Sequence, residues 1–236
     1  MLSGTPRPTW ITFDCYGTLI QWDEGLRAAV NRILSGKGAV IGPELLIATY
    51  DRHEHALEQA PPHRSFRAIA GQALGLALRD LGTAAGEDDA AILTDAIGRM
   101  PPFPEVLATL ATLKRAGFRL CIVSNTDDDI VAGNVAQLGG HIDRVITAEQ
   151  AGAYKPSRRI FDYAHRALGV TGDDVVHICA SPHLDLVATR ALGLRDVWID
   201  RGTGRRPADG YRPSAVLPSL DGLPTLFQDA GWMCDR

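Results

Sequence analysis

The sequence predicts an α/β fold: a Rossmann-like, doubly wound parallel sheet core with an inserted all-helical cap domain. Three observations predict it. Short apolar, β-branched runs alternate with stretches of helical periodicity, the pattern of parallel strands joined by right-handed crossovers. Each run ends on polar residues, and chemistry in such sheets gathers at the carboxyl ends of the strands. Between residues 23 and 100 no such run occurs, only helical stripes.

The first strand is Trp10-Ile11-Thr12-Phe13, which runs into a loop at Asp14-Cys15-Tyr16-Gly17. Three helical stripes follow: Leu26, Val30 and Ile33; Leu46, Tyr50, His53 and Leu57; Phe66, Ile69, Ala73 and Ala77. Pro61-Pro62 and Pro101-Pro102 punctuate this segment. The expected division is a core of residues 1–22 and 102–236 and a cap of residues 23–101. The chain returns to the sheet near Pro104 through a stripe at Val106, Leu107, Leu110 and Leu113, closed by Gly117. Further strands are expected at 118–123, ending at Ser124-Asn125; at 175–179, ending at Ala180-Ser181; and at 197–199, ending at Asp200. Helices are expected at Ile160, Phe161, Ala164 and Leu168 and at Leu184, Val187, Ala188 and Ala191, closed by Gly169 and Gly193. Asp127-Asp128-Asp129 reads as the negatively charged start of a helix. Residues 201–212, rich in Gly, Arg and Pro, read as a surface loop with Arg205-Arg206 in solvent.

Composition narrows the function classes. With 236 residues, 45 % hydrophobic and 22 % charged, the chain suits one large domain or a core with a small insert. A net charge of −4 gives no footprint for nucleic acid or an anionic membrane. No run reaches the length of a membrane span, and the N-terminus lacks the apolar stretch of a secretory signal, so a cytoplasmic location is expected. Cys15, Cys121, Cys179 and Cys234 show no CxxC spacing and read as reduced, buried thiols. His53 and His55 are two apart, so a helix would point them to different faces and not to one zinc ion. Trp10, Trp198 and Trp232 read as packing residues, while Trp22 suits either packing or substrate contact.

Asp14 is the first candidate for chemistry. A carboxylate at the tip of a buried strand, followed by Gly17 and Thr18, can be a nucleophile, a metal ligand or a cap. Ser124-Asn125 offers a hydroxyl and an amide to hold an anionic oxygen or a leaving group. Lys155, before Pro156, puts a cation in a loop. Asp185 sits one turn into a helix and could face the same crevice.

Together these motifs resemble the haloacid dehalogenase superfamily of hydrolases. The DxxGT nucleophile motif stands here as Asp14-Cys15-Tyr16-Gly17-Thr18, the second motif as Ser124-Asn125, the third as Lys155-Pro156 and the fourth as residues 180–185. Phosphatases of the superfamily carry a second aspartate two positions after the nucleophile as general acid. Tyr16 stands there, as in the L-2-haloacid dehalogenases (type II), whose halide leaves as a stable anion and needs no proton. The resemblance implies a hydrolase that forms an aspartyl ester and converts a small 2-haloalkanoic acid to the 2-hydroxy acid without metal or other cofactor. It implies catalytic roles for Asp14, Thr18, Ser124, Asn125, Lys155 and Asp185, and substrate contacts from Cys15, Tyr16, Ser181 and Arg52. Lys155 would supply the charge that keeps Asp14 ionised.

One alternative is a phosphatase or phosphonatase holding magnesium through Asp14 and Asp185. Another is a carbon–heteroatom hydrolase acting on a non-halogenated small carboxylate such as a strained cyclic amino acid. The expected partner is a small-molecule carboxylate substrate, with no nucleic acid and no membrane; a homodimer is left open. The sequence departs from the subgroup twice. Ala180-Ser181-Pro182 replaces Ser-Ser-Asn, and Asp51 falls where the dehalogenases keep a cap arginine. Arg52 is adjacent but turned about 100° on a regular helix. Arg52, His53, Arg64 and Arg67 are the candidates to replace that arginine, with Arg52 preferred.

Overall fold

A computed structural model describes residues 2–37 and 41–234. Among them six strands form one sheet: β1 (Trp10–Phe13), β2 (Arg119–Ser124), β3 (Arg144–Thr147), β4 (Val175–Cys179), β5 (Arg195–Ile199) and β6 (Ala215–Leu217). Their spatial order is β3-β2-β1-β4-β5-β6, and every pairing is parallel. All four expected strands form. They are the ones buried along nearly their whole length, as a sheet covered on both faces requires. The two strands that periodicity missed are the short outer ones, β3 and β6, whose half-exposed sequences carry no apolar run.

Helices α1 (Trp22–Ser35), α2 (Pro43–Glu58), α3 (Phe66–Asp80) and α4 (Asp89–Ile97) follow β1 without an intervening strand. The three expected stripes are buried in α1, α2 and α3, except that His53 and Leu57 are only partly covered. The remaining helices are α5 (Val106–Arg115), α6 (Asp128–Val135), α7 (Ala148–Ala151), α8 (Arg158–Leu168), α9 (Val187–Leu192) and α10 (Leu223–Asp229). Leu107, expected in the stripe of α5, is exposed instead. No helix among the described residues is long and apolar enough to cross a membrane.

The acidic run at the start of α6 does more than complement that helix's dipole. Asp127 accepts the backbone N–H groups of Phe66 (2.7 Å) and Arg67 (2.8 Å), so it caps α3 from across the molecule. Arg67 returns the contact by pairing with Asp129 at 2.7 Å. These bonds fix the helical segment above the sheet.

Chain order reverses at β1, which lies between β2 and β4. A crevice opens beyond the carboxyl ends at such a switch point. The amide of Asp14 extends the pairing by donating to Ile178 O at 2.9 Å. The loop then turns sharply at Gly17, whose φ of +79° lies in the left-handed region that other residues avoid. The geometry aims the Asp14 side chain out of the strand end.

Candidate active site

Asp14 lines a cavity of about 150 Å³ between the sheet edge and α2. Its two carboxylate oxygens are held separately. Lys155 Nζ donates to Oδ1 at 2.7 Å and Thr18 Oγ1 donates to Oδ2 at 2.8 Å. Thr18 is itself fixed by accepting the Ala180 amide at 2.8 Å. The same Lys155 nitrogen donates to Asp185 Oδ1 at 2.8 Å, so one cation bridges two buried carboxylates. Asp185 lies on a single π-helical turn, Pro182–Leu186, whose start is capped by Ser181 accepting the Leu184 amide.

Charge in this cluster is balanced by position. Burial works against the ammonium of Lys155, yet Asp14 and Asp185 outweigh it and hold its pKa above the ordinary value. Burial also opposes ionisation of Asp185, but Lys155 and His177 overcome it and hold the carboxyl below the usual range. Asp14 lies on the other side. Burial, with repulsion from Asp185, outweighs Lys155 and Thr18 and leaves its pKa raised. A single cation shared by two carboxylates satisfies one more fully than the other.

Asn125 clamps the backbone of Lys155, accepting its N–H at 2.7 Å and donating to its carbonyl at 3.2 Å. It also donates to Glu58 on α2, which ties the sheet edge to the helical segment. Ser124 is fully buried at the end of β2, and its hydroxyl has no partner among the described residues. Tyr16 lines the cavity with Trp22 beside it, their ring centroids 5.2 Å apart. Its hydroxyl donates to Asn134, and burial pushes its pKa upward. Ser181 also lines the cavity, whereas Cys15 is buried behind it.

Arg52 is not brought to the site. Its side chain is 66 % exposed and pairs with Asp80, to which His53 also bonds. Helix phase decides this: residues three and four apart share a face, so α2 presents Asp51, Glu54 and Glu58 to the cavity and turns Arg52 outward. Arg64 and Arg67 bond Gln72 and Asp129 and are absent from the cavity lining. The arginine that does reach the lining is Arg205, expected in solvent, which makes a bidentate pair with Asp23 at 2.7 and 3.2 Å. Arg201, from the same loop, donates to the carbonyls of Gly17 and Thr18 and braces the nucleophile loop.

His177 was also missed. Its Nε2 lies 2.8 Å from Asp185 Oδ1, and its Nδ1 lies 2.8 Å from Thr12 Oγ1 on the neighbouring strand. A carboxylate can only accept, so Nε2 is the donor. The signal was present: one polar residue inside the apolar run Val175-Val176-His177-Ile178-Cys179, eight positions before Asp185.

An aspartate held between a lysine and a threonine, at the switch point of a parallel sheet and under a helical segment, is the site of a hydrolase with a carboxylate at its centre. The chain belongs to the haloacid dehalogenase-like hydrolases, whose family pattern matches residues 8–193. It is 27 % identical to the (S)-2-haloacid dehalogenase of Pseudomonas sp. (strain YL), over 96 % of this chain and 97 % of that one. It is 26 % identical to haloacetate dehalogenase H-2 of Moraxella sp. (strain B), covering 92 % and 96 %. The fold is shared with the L-2-haloacid dehalogenase of Xanthobacter autotrophicus at a TM-score of 0.80, with 21 % identity over 94 % of this chain and 98 % of that one.

Proposed function

We propose that this hydrolase dehalogenates a small 2-haloalkanoic acid through an ester on Asp14. The observation that carries the reading is the fixed Asp14 carboxylate facing a cavity in which Tyr16, and no second aspartate, stands two positions on. A buried phenol whose pKa is raised is a poor proton donor, and a departing halide needs none. In the first step an Asp14 oxygen bonds to the substrate carbon as the carbon–halogen bond breaks and the electron pair leaves with the halide. In the second, water adds to the Asp14 carboxyl carbon and the ester C–O bond breaks, releasing the 2-hydroxy acid and a proton. Thr18 and Lys155 hold the carboxylate, Ser181 offers a hydroxyl to the substrate, Asn125 positions Lys155, and Asp185 orients the Lys155 ammonium, while Ser124 is buried off the cavity lining.

Magnesium does not fit this donor set well. The ion takes six oxygen ligands in near-octahedral geometry. Here the Lys155 nitrogen sits between the two carboxylates that would bind it, and Ala180 and Ser181 add no acid. Lys155 supplies the positive charge instead. The reaction is placed in the cytoplasm, which suits the free buried thiols Cys15, Cys121 and Cys179.

Single turnover of 2-chloropropanoate in isotopically heavy water tests the reading. Mass spectrometry should find the heavy oxygen in Asp14 after one turnover, halide released in equal amount, and no change with chelator. Heavy oxygen appearing first in product removes the ester. Activity lost to chelator and restored by magnesium would favour the phosphatase alternative.

A further inference from the structure

The wall of the cavity opposite Asp14 is acidic. Asp51, Glu54 and Glu58 line it from one face of α2, and the cations on the same lining, Lys155 and Arg205, are committed elsewhere. Lys155 bridges Asp14 and Asp185, and Arg205 is paired with Asp23. No ion pair joins any of the three α2 acids to a lysine, arginine or histidine among the described residues. Glu54 and Glu58 are only 7 % and 9 % exposed. Each uses one oxygen: Glu54 Oε1 accepts from Tyr50 at 2.9 Å and Glu58 Oε2 accepts from Asn125 at 3.2 Å. The second oxygen of each makes no hydrogen bond to the described residues, and both residues line the cavity.

A buried carboxyl without a counter-charge is costly, and a folded protein keeps one where something else completes it. We infer that Glu54 and Glu58, with Asp51 beside them, receive a protonated amine on the substrate, so that the substrate is a small carboxylate with a cationic group on the side facing α2. The inference rests on the reading that this cavity, with Asp14 on its opposite wall, is where substrate binds. The row of acids offers no positive charge to a substrate carboxylate and, once ionised, pairs with an ammonium. His55 and Arg205 act on Asp51 without an ion pair and Lys155 acts on Glu58, so Glu54, beside Asp51 and the Tyr50 hydroxyl, is the acid of the row left furthest from a counter-charge.

Calorimetric binding of two near-isosteric probes to the intact protein tests this, with 3-aminopropanoate carrying an ammonium where butanoate carries a methyl group. The ammonium probe should bind at least about tenfold more tightly, the effect of one charge-assisted hydrogen bond. Glu54→Gln and Glu58→Gln should each bring the two affinities together by weakening 3-aminopropanoate alone. Equal affinities in the unmodified protein, tighter butanoate, or no measurable binding of 3-aminopropanoate would overturn the inference, and this comparison holds even if a variant fails to fold. The Asp14 ester is judged separately by its mass. An Asp14 label with equal probe affinities leaves the ester and removes the ammonium, and the opposite pair of results does the reverse.

Discussion

Two groups of buried carboxyls face each other across one cavity, and they meet the loss of water in different ways. At the sheet edge, Asp14 and Asp185 share Lys155, and Asp185 also accepts from His177. On α2, Glu54 and Glu58 accept from neutral donors, and no ion pair among the described residues joins them or Asp51 to a cation. Asp185 is accordingly held below the usual carboxyl range, whereas burial and repulsion from neighbouring acids raise Glu54 to about 8 and push Glu58 upward, and burial with repulsion from Asp23 raises Asp51. At comparable depth Asp185 is thus kept charged, whereas Asp14, which has the smaller share of Lys155, and the acids of α2 are pushed toward binding protons. A wall with its own cation is suited to chemistry on a fixed charge; a wall without one is suited to receiving charge from a ligand.

The largest effect that would sharpen this contrast is expected at Asp14. Asp14→Asn keeps the shape and removes the nucleophile, so turnover should fall on the order of 10⁴-fold or more, while the α2 variants should alter affinity first. Steady-state halide release measures both. An Asp14→Asn variant retaining a hundredth of the activity would break the division of labour.

Lys155→Met comes next. Removing one partner from a buried ion cluster leaves charge uncompensated and costs about 3–5 kcal/mol, or roughly 6–20 °C of Tm for a chain of this size. Asp14 should then hold its proton more tightly still, so the acid limb of the rate profile should move to higher pH. An unchanged Tm with an unchanged limb would show that the sheet-edge cluster does not depend on its lysine.

The sequence revealed one wall more readily than the other. Asp14 and Ser124 were legible because central strands buried on both faces read as apolar runs and polar residues at their ends stand out, while Lys155 and Asp185 were legible as the third and fourth motifs of the family resemblance. The opposite wall depends on helix phase. Arg52 is the preferred candidate because it neighbours the position where the dehalogenases keep an arginine, but Asp51, Glu54 and Glu58 share the inward face and Arg52 does not. Arg205 and Arg201 were hidden for a different reason: Asp23, Gly17 and Thr18 lie more than 180 positions away in the chain, and a Gly- and Pro-rich loop gives no periodicity from which to infer its contacts.

A smaller effect is expected at His177. Its bond to Asp185 helps keep that carboxylate ionised and therefore keeps Lys155 oriented. Loss of a hydrogen bond to a charged group, about 1.5–3 kcal/mol, corresponds to roughly a ten- to hundredfold fall in kcat. Because His177 does not line the cavity, His177→Asn should leave KM unchanged. A purely structural role would lower Tm and leave kcat per folded molecule intact.

The gentlest test reads Asp185 against the α2 acids through the pH dependence of stability, where their signs differ and Asp14, raised like the α2 acids, adds to their side. Asp185 has a lowered pKa in the folded chain, so its contribution is present above the ordinary carboxyl range and is lost as pH falls through the folded value. Glu54 runs the other way. Its pKa rises from 4.5 to about 8 on folding, so across that window the folded chain holds a proton that the unfolded chain has released. Stability present below the window is therefore lost as pH rises through it, and Glu58 and Asp51 act in the same direction. Tm should decline between pH 5 and pH 8, by about 2–4 °C for each kcal/mol lost. Glu54→Gln, which keeps an acceptor for the Tyr50 hydroxyl but cannot ionise, should flatten that decline without touching the acid side. A bound ammonium should flatten it too, because it favours the ionised carboxylate in the folded state. If Tm instead rises from pH 5 to pH 8, or if Glu54→Gln leaves the slope unchanged, the acids of α2 are compensated after all and the two walls do not differ as described.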